Sequence, residues 1–231
     1  MSTSSYYASR GNRLITGASL YVRRRVMDRY LAEFGAGASV LDVGATGEEI
    51  SEDANFFEAW HPDKSRITAV GIEDASHLAR RYAGLRFVGI EPDAPLPFPD
   101  DSFDVAFSHA VVEHVVDPET RRKFVAEMLR VARAAFITTP NLYFPLELHT
   151  KVPLLHFLHP KTFDRLLDAG WFPAYSRKNL RLLSRRDLST LLASEPQVLS
   201  HTIEPVRLAL TVSNWIAIAR KRPLPAAQGP R

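Results

Sequence analysis

Short apolar runs along this chain alternate with longer segments in which apolar residues recur at helical spacing. Five runs are long enough for buried strands, at 40–43, 67–72, 85–90, 105–108 and 135–139. Helical spacing and boundary signals predict helices over 19–34, 56–60, 75–82, 118–133 and 186–193, and a last strand around 208–219. Strands that alternate with helices in this way favour a parallel, doubly wound α/β sheet.

The first predicted helix combines a core stripe with a run of arginines. The residues expected to face the core are Leu20, Met27, Leu31 and Phe34, and Gly35 is expected to end the helix. The arginines between them predict a solvated helix face, and the alternative is a grip on an acidic substrate.

The pattern changes after the fifth predicted strand. Residues 142–170 combine aromatic residues, prolines and three of the eight histidines, and we predict that they form a cap over the sheet edge, with a helix at 162–167. The termini, 1–12 and 222–231, are predicted to be disordered. The length of 231 residues fits a single domain with these additions.

Composition narrows the function classes. Basic residues number 29 and acidic residues 26, a near balance that argues against a general nucleic-acid-binding surface. The absence of cysteine excludes disulfides, thiolate metal sites and a cysteine nucleophile. The polar N-terminus is unlike a secretory signal, and the apolar run at 208–219 is too short to cross a bilayer. We therefore predict a cytoplasmic protein with no integral membrane segment.

The first strand ends in a turn of small residues, Gly44-Ala45-Thr46-Gly47, directly after Asp42 and Val43. Small residues let a ligand approach the backbone closely, and in open α/β sheets ligands bind at the carboxyl edge of the strands. The turn lacks the spacing of dinucleotide and phosphate-binding loops, so it favours a nucleoside cofactor over phosphate cradling. An ordinary glycine turn is the alternative.

The second predicted strand leads directly to Glu73 and Asp74. An acidic residue at this place suits hydrogen bonding to ribose hydroxyls. The alternative is a charge that caps the following helix.

Five segments taken in order resemble one enzyme family. They are Val40-Leu41-Asp42-Val43-Gly44, Gly71-Ile72-Glu73, Leu96-Pro97-Phe98-Pro99-Asp100-Asp101-Ser102-Phe103-Asp104, Glu113-His114-Val115 and Arg130-Val131. This order resembles a class I S-adenosylmethionine-dependent methyltransferase, closest to the group called methyltransferase type 11, over about residues 38–141. The resemblance implies a Rossmann-like, mostly parallel seven-stranded sheet with helices on both faces.

The resemblance also implies a cofactor site. S-adenosyl-L-methionine would contact the turn through its methionine part and the end of the second strand through its ribose, with Asp74 as the alternative to Glu73 there. Asp93 would hold the adenine amino group, and two residues after the fourth strand would line the pocket. The implied cofactor residues are Asp42, Gly44, Ala45, Thr46, Glu73, Asp74, Asp93, Ser108 and His109.

One departure from the family pattern lies in the turn. Thr46 and Glu48 stand where the second and third glycines are usual. A glutamate near the cofactor's carboxylate would repel it. We therefore expect the loop to follow a variant path.

Methyl transfer from a sulfonium is an in-line displacement that depends mainly on positioning, whereas a hydroxyl acceptor also needs a general base. The candidates are His114, His149 and His156, with Glu113 or Glu147 to orient them. Helix capping or loop packing is the alternative role for each. No metal is predicted, because Glu147 and His149 lack a third ligand at suitable spacing.

The predicted activity is O-methylation of a sugar or glycan precursor, or of a similar small metabolite, because the run from Thr139 to His156 resembles a bacterial subgroup linked to sugar pathways. The basic cluster at 177–186 either holds a phosphate of such a substrate or forms a solvated surface. The main alternative is a non-catalytic methyltransferase-like scaffold. A nicotinamide-dependent oxidoreductase ranks third, because the first turn lacks pyrophosphate glycines.

Overall fold

The structure is a computed structural model, and it describes residues 13–47, 54–147, 152–153 and 180–221. The helices are α1 (Arg13–Phe34), α2 (Phe56–Trp60), α3 (His77–Arg81), α4 (Pro118–Val131) and α5 (Arg185–Ala193), with a 3₁₀ turn at Lys64–Arg66. The strands are β1 (Val40–Val43), β2 (Ile67–Gly71), β3 (Arg86–Gly89), β4 (Phe103–His109), β5 (Ala132–Pro140), β6 (Leu146–Glu147), β7 (Val152–Pro153), β8 (Ser200–Leu208) and β9 (Thr211–Arg220).

Seven strands form one sheet in the order β3-β2-β1-β4-β5-β9-β8. The first five are parallel, and β9 lies antiparallel between β5 and β8. The chain leaves β1 towards β2 on one side and later returns to β4 on the other. The order therefore reverses at β1, and the carboxyl ends of β1 and β4 flank the crevice where such sheets bind ligands.

Helices cover both faces of the sheet, as predicted. Alternate residues of the strands pack on α1, α2 and α3 through one cluster that includes Val40, Phe107 and Phe136. The other residues, such as Leu41 and Ile137, pack on α4 and α5. Because side chains alternate along a strand, Asp42 falls on the same face as Val40, towards α1 and α2.

Two helix starts and a core stripe differ from prediction. Helix α1 begins at Arg13 and α5 at Arg185, earlier than the sequence indicated. The buried stripe of α1 is Val22, Val26, Met27 and Tyr30, while Leu31 and Phe34 are only partly buried. Tyr30 replaces them because its ring packs against Phe57, Phe107 and Phe136.

The predicted last strand around 208–219 is present as β9, and a strand that was not predicted, β8, precedes it. This part of the chain forms a hairpin of β8 and β9, which reverses at Ala209 and Leu210. Ala209 has a left-handed φ of 52°, and Leu210 is 94% exposed. Strand β8 escaped detection because it lies at the sheet edge, where only Val206 is fully buried, so its apolar pattern is weak.

Several predictions fall outside the described residues. These are the disordered termini, the helix at 162–167 and most of the cap at 142–170. The assignment of 1–231 to a single domain stays a prediction. Among the helices that the structure describes, none combines the length and apolarity needed to cross a membrane.

Candidate functional site

The turn after β1 lies in direct contact with the loop after β4. Gly44 has a φ of 117°, and a Cβ there would stand 2.3 Å from Cγ2 of Val111. The N–H groups of Gly44 and Ala45 both donate to the carbonyl of Val70, at 2.9 and 3.0 Å. Glycine is required at this position because an added side chain would collide and the φ is left-handed.

The end of β2 closes the other side of the turn. A Cβ on Gly71 would stand 2.2 Å from the carbonyl oxygen of Ala45, and one on Gly47 would stand 2.9 Å from that of Asp74. The Glu73 carboxylate lies beside the turn, with Oε2 3.7 Å from the same position on Gly47. Glu73 is therefore next to the loop that was predicted to hold the cofactor.

Asp74 has a different role. Its side chain is exposed, and its Oδ1 accepts a hydrogen bond of 2.8 Å from the N–H of Ser76 at the start of α3. That hydrogen bond holds the pKa of Asp74 below its usual value. Of the two acidic residues, Asp74 forms a local turn with the residue before α3, and no side chain caps that helix.

Thr46, which replaces a family glycine, is held by Asn55. The Thr46 N–H donates to Oδ1 of Asn55 at 3.0 Å, and Nδ2 of Asn55 donates to the Thr46 carbonyl at 2.8 Å. Asn55 has a left-handed φ of 48° and immediately precedes α2. A side-chain amide therefore closes the turn backbone here, and Glu48, the other departure, lies outside the described residues.

Asp42 lies beneath this turn in a buried acidic environment. It is 6% exposed, and Glu58 on α2 is 1% exposed. Burial raises the pKa of Asp42 well above its usual value, and the charge of Glu58 raises it further. Burial also raises the pKa of Glu58.

His109 ends β4 next to the crevice. Its Nδ1 is 2.5 Å from Oγ1 of Thr138, and its ring centroid is 4.8 Å from that of Phe56. Ala110 follows with a left-handed φ of 57°, which turns the chain sharply at the strand end. Ser108 is fully buried, and its Oγ has no hydrogen-bond partner within the described part of the chain.

Glu113 and His114 lie in different environments. Glu113 is fully buried, and its Oε2 accepts a hydrogen bond of 2.9 Å from Thr139 at the end of β5. The carbonyl of Glu113 accepts from the N–H of Arg181 at 2.7 Å. His114 is exposed in the loop after β4. The hydrogen bond seen for the Glu113 side chain thus connects two strand ends.

The predicted cap is anchored at this edge of the sheet. At its start, the N–H of Asn141 donates to the carbonyl of Ser213, and that of Leu142 donates to the carbonyl of Leu183. Beyond it, the N–H of Arg181 donates to the carbonyl of Glu113. The described residues on either side of the segment therefore lie near the carboxyl ends of β4 and β5. His149 and His156 lie outside the described residues.

Asp93, predicted to hold the adenine amino group, is exposed in a tight turn. It has a left-handed φ of 60°, and the N–H of Ala94 donates to the carbonyl of Glu91 at 3.3 Å. Aspartate tolerates this φ better than most residues.

Arg130 organises the Leu96–Asp104 motif. Its guanidinium donates to the carbonyls of Leu96 and Phe98, both at 2.8 Å, and to Asp100 at 3.0 Å. Two further bonds of 2.9 Å reach Glu127, which also accepts the N–H of Leu96. The arginine near the end of α4 therefore holds the loop that leads into β4.

Comparison with known proteins gives one family match. Residues 41–135 match the family described as "Methyltransferase domain". No curated protein matches this chain significantly. Residues 41–135 therefore carry the sequence of a methyltransferase domain. The predicted family of S-adenosylmethionine-dependent methyltransferases and the predicted enzyme class are thereby confirmed.

Solved structures show the same fold at low sequence identity. A didemethyltoxoflavin N1-methyltransferase of Burkholderia thailandensis, solved with S-adenosylhomocysteine, is 19% identical with a TM-score of 0.59, covering 94% of this chain and 84% of that chain. A methyltransferase of Methanosarcina mazei is 18% identical with a TM-score of 0.54, covering 83% and 96%. One of Mesorhizobium loti is 16% identical with a TM-score of 0.54, covering 86% and 97%. The predicted Rossmann-like, seven-stranded fold is confirmed.

The methyltransferase domain brings most of the predicted cofactor residues to one edge. Asp42 and the turn follow β1, Glu73 and Asp74 follow β2, and Ser108 and His109 end β4, all at the carboxyl side of the sheet. Their binding roles stay predictions.

Sequence reasoning missed three contributors in the methyltransferase domain, which are Asn55, Glu58 and Val111. Val111 precedes the Glu113-His114-Val115 motif, and no role was predicted for it. The signal for Glu58 was a single acidic residue among Phe56, Phe57 and Trp60. No local pattern indicated that Asn55 would bond to Thr46, because nine residues separate them.

Proposed function

We propose that this domain transfers a methyl group from S-adenosylmethionine to an oxygen of a sugar or glycan precursor, or of a similar small metabolite. The observation that carries the proposal is the convergence of the Gly44 turn, Asp42 and Glu73 where the strand order reverses. A nucleoside cofactor with a cationic end suits a backbone turn flanked by two carboxyl side chains.

Each of these residues has a distinct role in the proposal. The backbone of the turn from Gly44 to Thr46 contacts the methionine part of the cofactor. Asp42 offers a buried acidic group to the cofactor's ammonium, and Glu73 accepts hydrogen bonds from the ribose hydroxyls. The cofactor supplies the activated methyl group, and the protein supplies position and exclusion of water.

An oxygen acceptor requires a base at the same edge. His114 is exposed in the loop after β4. The two other candidates from the sequence, His149 and His156, lie outside the described residues. An imidazole suits this task because its usual pKa lies near physiological pH. The Burkholderia enzyme, solved with 1,6-didemethyltoxoflavin bound, supports an acceptor of metabolite size.

Calorimetric titration with S-adenosylmethionine and S-adenosylhomocysteine tests the cofactor site. We expect micromolar binding that weakens at least tenfold in Asp42→Ala and in Glu73→Ala, since each loses a charge-assisted contact of ~1.5–3 kcal/mol. Asp74→Ala is the matched control, because the Asp74 carboxylate bonds to the N–H of Ser76 before α3. The affinity of this variant for the cofactor should change less than threefold.

Release of S-adenosylhomocysteine with a panel of sugar conjugates tests the base. We expect one of His114→Ala, His149→Ala and His156→Ala to lower turnover by roughly 10²–10⁴-fold with cofactor affinity unchanged. Equal turnover in all three variants would contradict a histidine base.

The scaffold alternative is favoured by one observation, the threonine in the glycine turn locked by Asn55. Intact folding by circular dichroism without binding of either cofactor form would select it.

A further inference from the structure

Two carboxyl groups meet beneath the turn after β1. Asp42 on β1 and Glu58 on α2 are 6% and 1% exposed, and neither oxygen of Glu58 has a hydrogen-bond donor within the described residues. The charge of Glu58 acts directly on Asp42. An ionised carboxylate only accepts hydrogen bonds, so two adjacent carboxyl groups can bond to each other only when one of them carries a proton. The burial of two acidic groups with no donor on Glu58 therefore favours a proton on the pair.

Other described residues leave Glu58 without a hydrogen-bond donor. No N–H or O–H group of another described residue reaches either oxygen of Glu58. Lys64, in the 3₁₀ turn, donates to the carbonyls of Ala59 and His61 and acts on Glu58 only through its field, as does His77 on α3. Tyr30 of α1 faces Asp42, and its hydroxyl is buried with no partner within the described residues.

We propose that Asp42 and Glu58 share one proton in the free protein, and that the pair gives up this proton when the cationic ammonium of the cofactor's methionine part docks against Asp42. Glu58 is then a positioning residue that acts through Asp42. This inference rests on the proposed cofactor site, but the shared proton is a property of the free protein.

Electrostatics explain why the proton is held and then released. Two buried carboxylates in contact cannot both ionise cheaply, because burial and mutual repulsion both disfavour the second charge. A cation beside Asp42 offsets that repulsion and favours the doubly ionised pair. The proton passes to the buffer, and no other bond forms or breaks.

Thermal unfolding of the cofactor-free protein tests the shared proton. In the wild type, burial and contact raise the pKa of both carboxyls, so their contribution to stability is complete below about pH 4 and is lost as pH rises through the raised values. In Glu58→Gln, the amide donates to an ionised Asp42. We expect its Tm to exceed that of the wild type by roughly 2–4 °C at pH 8, with a smaller gap at pH 5.

Controls separate this effect from a general change of charge. Glu91→Gln makes the same substitution at an exposed position after β3 and should leave the pH dependence of the wild type unchanged. Equal pH dependence of Tm in the wild type and Glu58→Gln would overturn the shared proton. Should Glu58→Gln fail to fold, Asp42→Asn removes the same proton and is expected to flatten the same curve.

Proton release on binding tests the second half of the proposal. Titration with S-adenosylmethionine at pH 6.5, in phosphate and in imidazole buffer, counts the protons released from the difference in heats. We expect between a half and one proton for the wild type and near zero for Glu58→Gln. 5′-Methylthioadenosine, which lacks the ammonium, should release none from either protein.

The outcomes are distinguishable. Cofactor binding with no proton release from the wild type would overturn the coupling while leaving the proposed function standing. No cofactor binding to any variant, together with the expected difference in Tm, would overturn the proposed function while leaving the shared proton standing.

Discussion

Two buried or half-buried glutamates on opposite faces of the sheet show contrasting electrostatics. Glu58 of α2 faces another carboxyl group, and burial raises its pKa. Glu127 of α4 faces the guanidinium of Arg130, and the hydrogen bonds from that group lower its pKa. The ion pair of Glu127 and Arg130 stabilises a loop. The two acidic groups Asp42 and Glu58, in contrast, lie beneath the proposed cofactor turn, where burial disfavours their ionisation.

This contrast distinguishes a region that stabilises the fold from a region that is suited to bind a ligand. Around Arg130 every donor of the guanidinium has a protein acceptor, and Ser39 and Lys221 hold the Leu96–Asp104 loop through Asp104 and Asp101. Around Asp42 the hydroxyl of Tyr30 and both carboxyl oxygens of Glu58 are buried with no hydrogen-bond partner within the described residues. Such a deficit is expected where a ligand completes the site.

Removing the guanidinium of Arg130 should destabilise the loop that it holds. We expect Arg130→Ala to lower the free energy of unfolding by about 3 kcal/mol, since two loop carbonyls and two carboxylates lose a charged donor. Urea unfolding monitored by tryptophan fluorescence measures this loss. Arg133→Ala is the control, because its single ion pair with Asp104 is 3.3 Å long and exposed, and should cost under about 0.5 kcal/mol.

A methyl group should disturb the site region by sterics alone. We expect Gly71→Ala to cost about 2 kcal/mol, because its Cβ would stand 2.2 Å from the backbone oxygen of Ala45. The partner position on β3, Gly89, has no atom within 4 Å of an added Cβ. Gly89→Ala should therefore be neutral or slightly stabilising, and equal losses in both variants would contradict the close packing of the turn.

Neutralising Glu127 should change the stability of the protein in a pH-dependent way, with the opposite sign to the change expected for Glu58. Because the pKa of Glu127 is lowered, its contribution to stability is present above the usual carboxyl pKa and is lost as pH falls through the lowered value. We expect Glu127→Gln to cost about 1 kcal/mol at pH 7 and less at pH 3.5. Glu58→Gln should be stabilising at pH 7, so the two variants differ in sign. The same sign at pH 7 would contradict the comparison.

Local patterns predicted the parallel half of the sheet well. Strands β1 to β5 and helices α2 to α4 lie close to the predicted positions, because buried parallel strands are short apolar runs and helix starts carry local signals such as Asp117 before Pro118. The antiparallel strands at the other end of the sheet were harder to predict. β8 has a half-exposed edge pattern with Pro205 inside it, and neither feature indicates a strand locally.

The sequence by itself determined the family, the sheet class and the set of acidic and small residues at the strand ends, since each is encoded in contiguous motifs. Only the tertiary structure decided that Glu73 lies beside the turn while Asp74 bonds to the backbone before α3. It also decided that the side chain of Asn55 bonds to Thr46, and that Asp42 lies next to Glu58. Those outcomes depend on contacts between residues far apart in the chain, and on burial, which sets their pKa values and has no local signature.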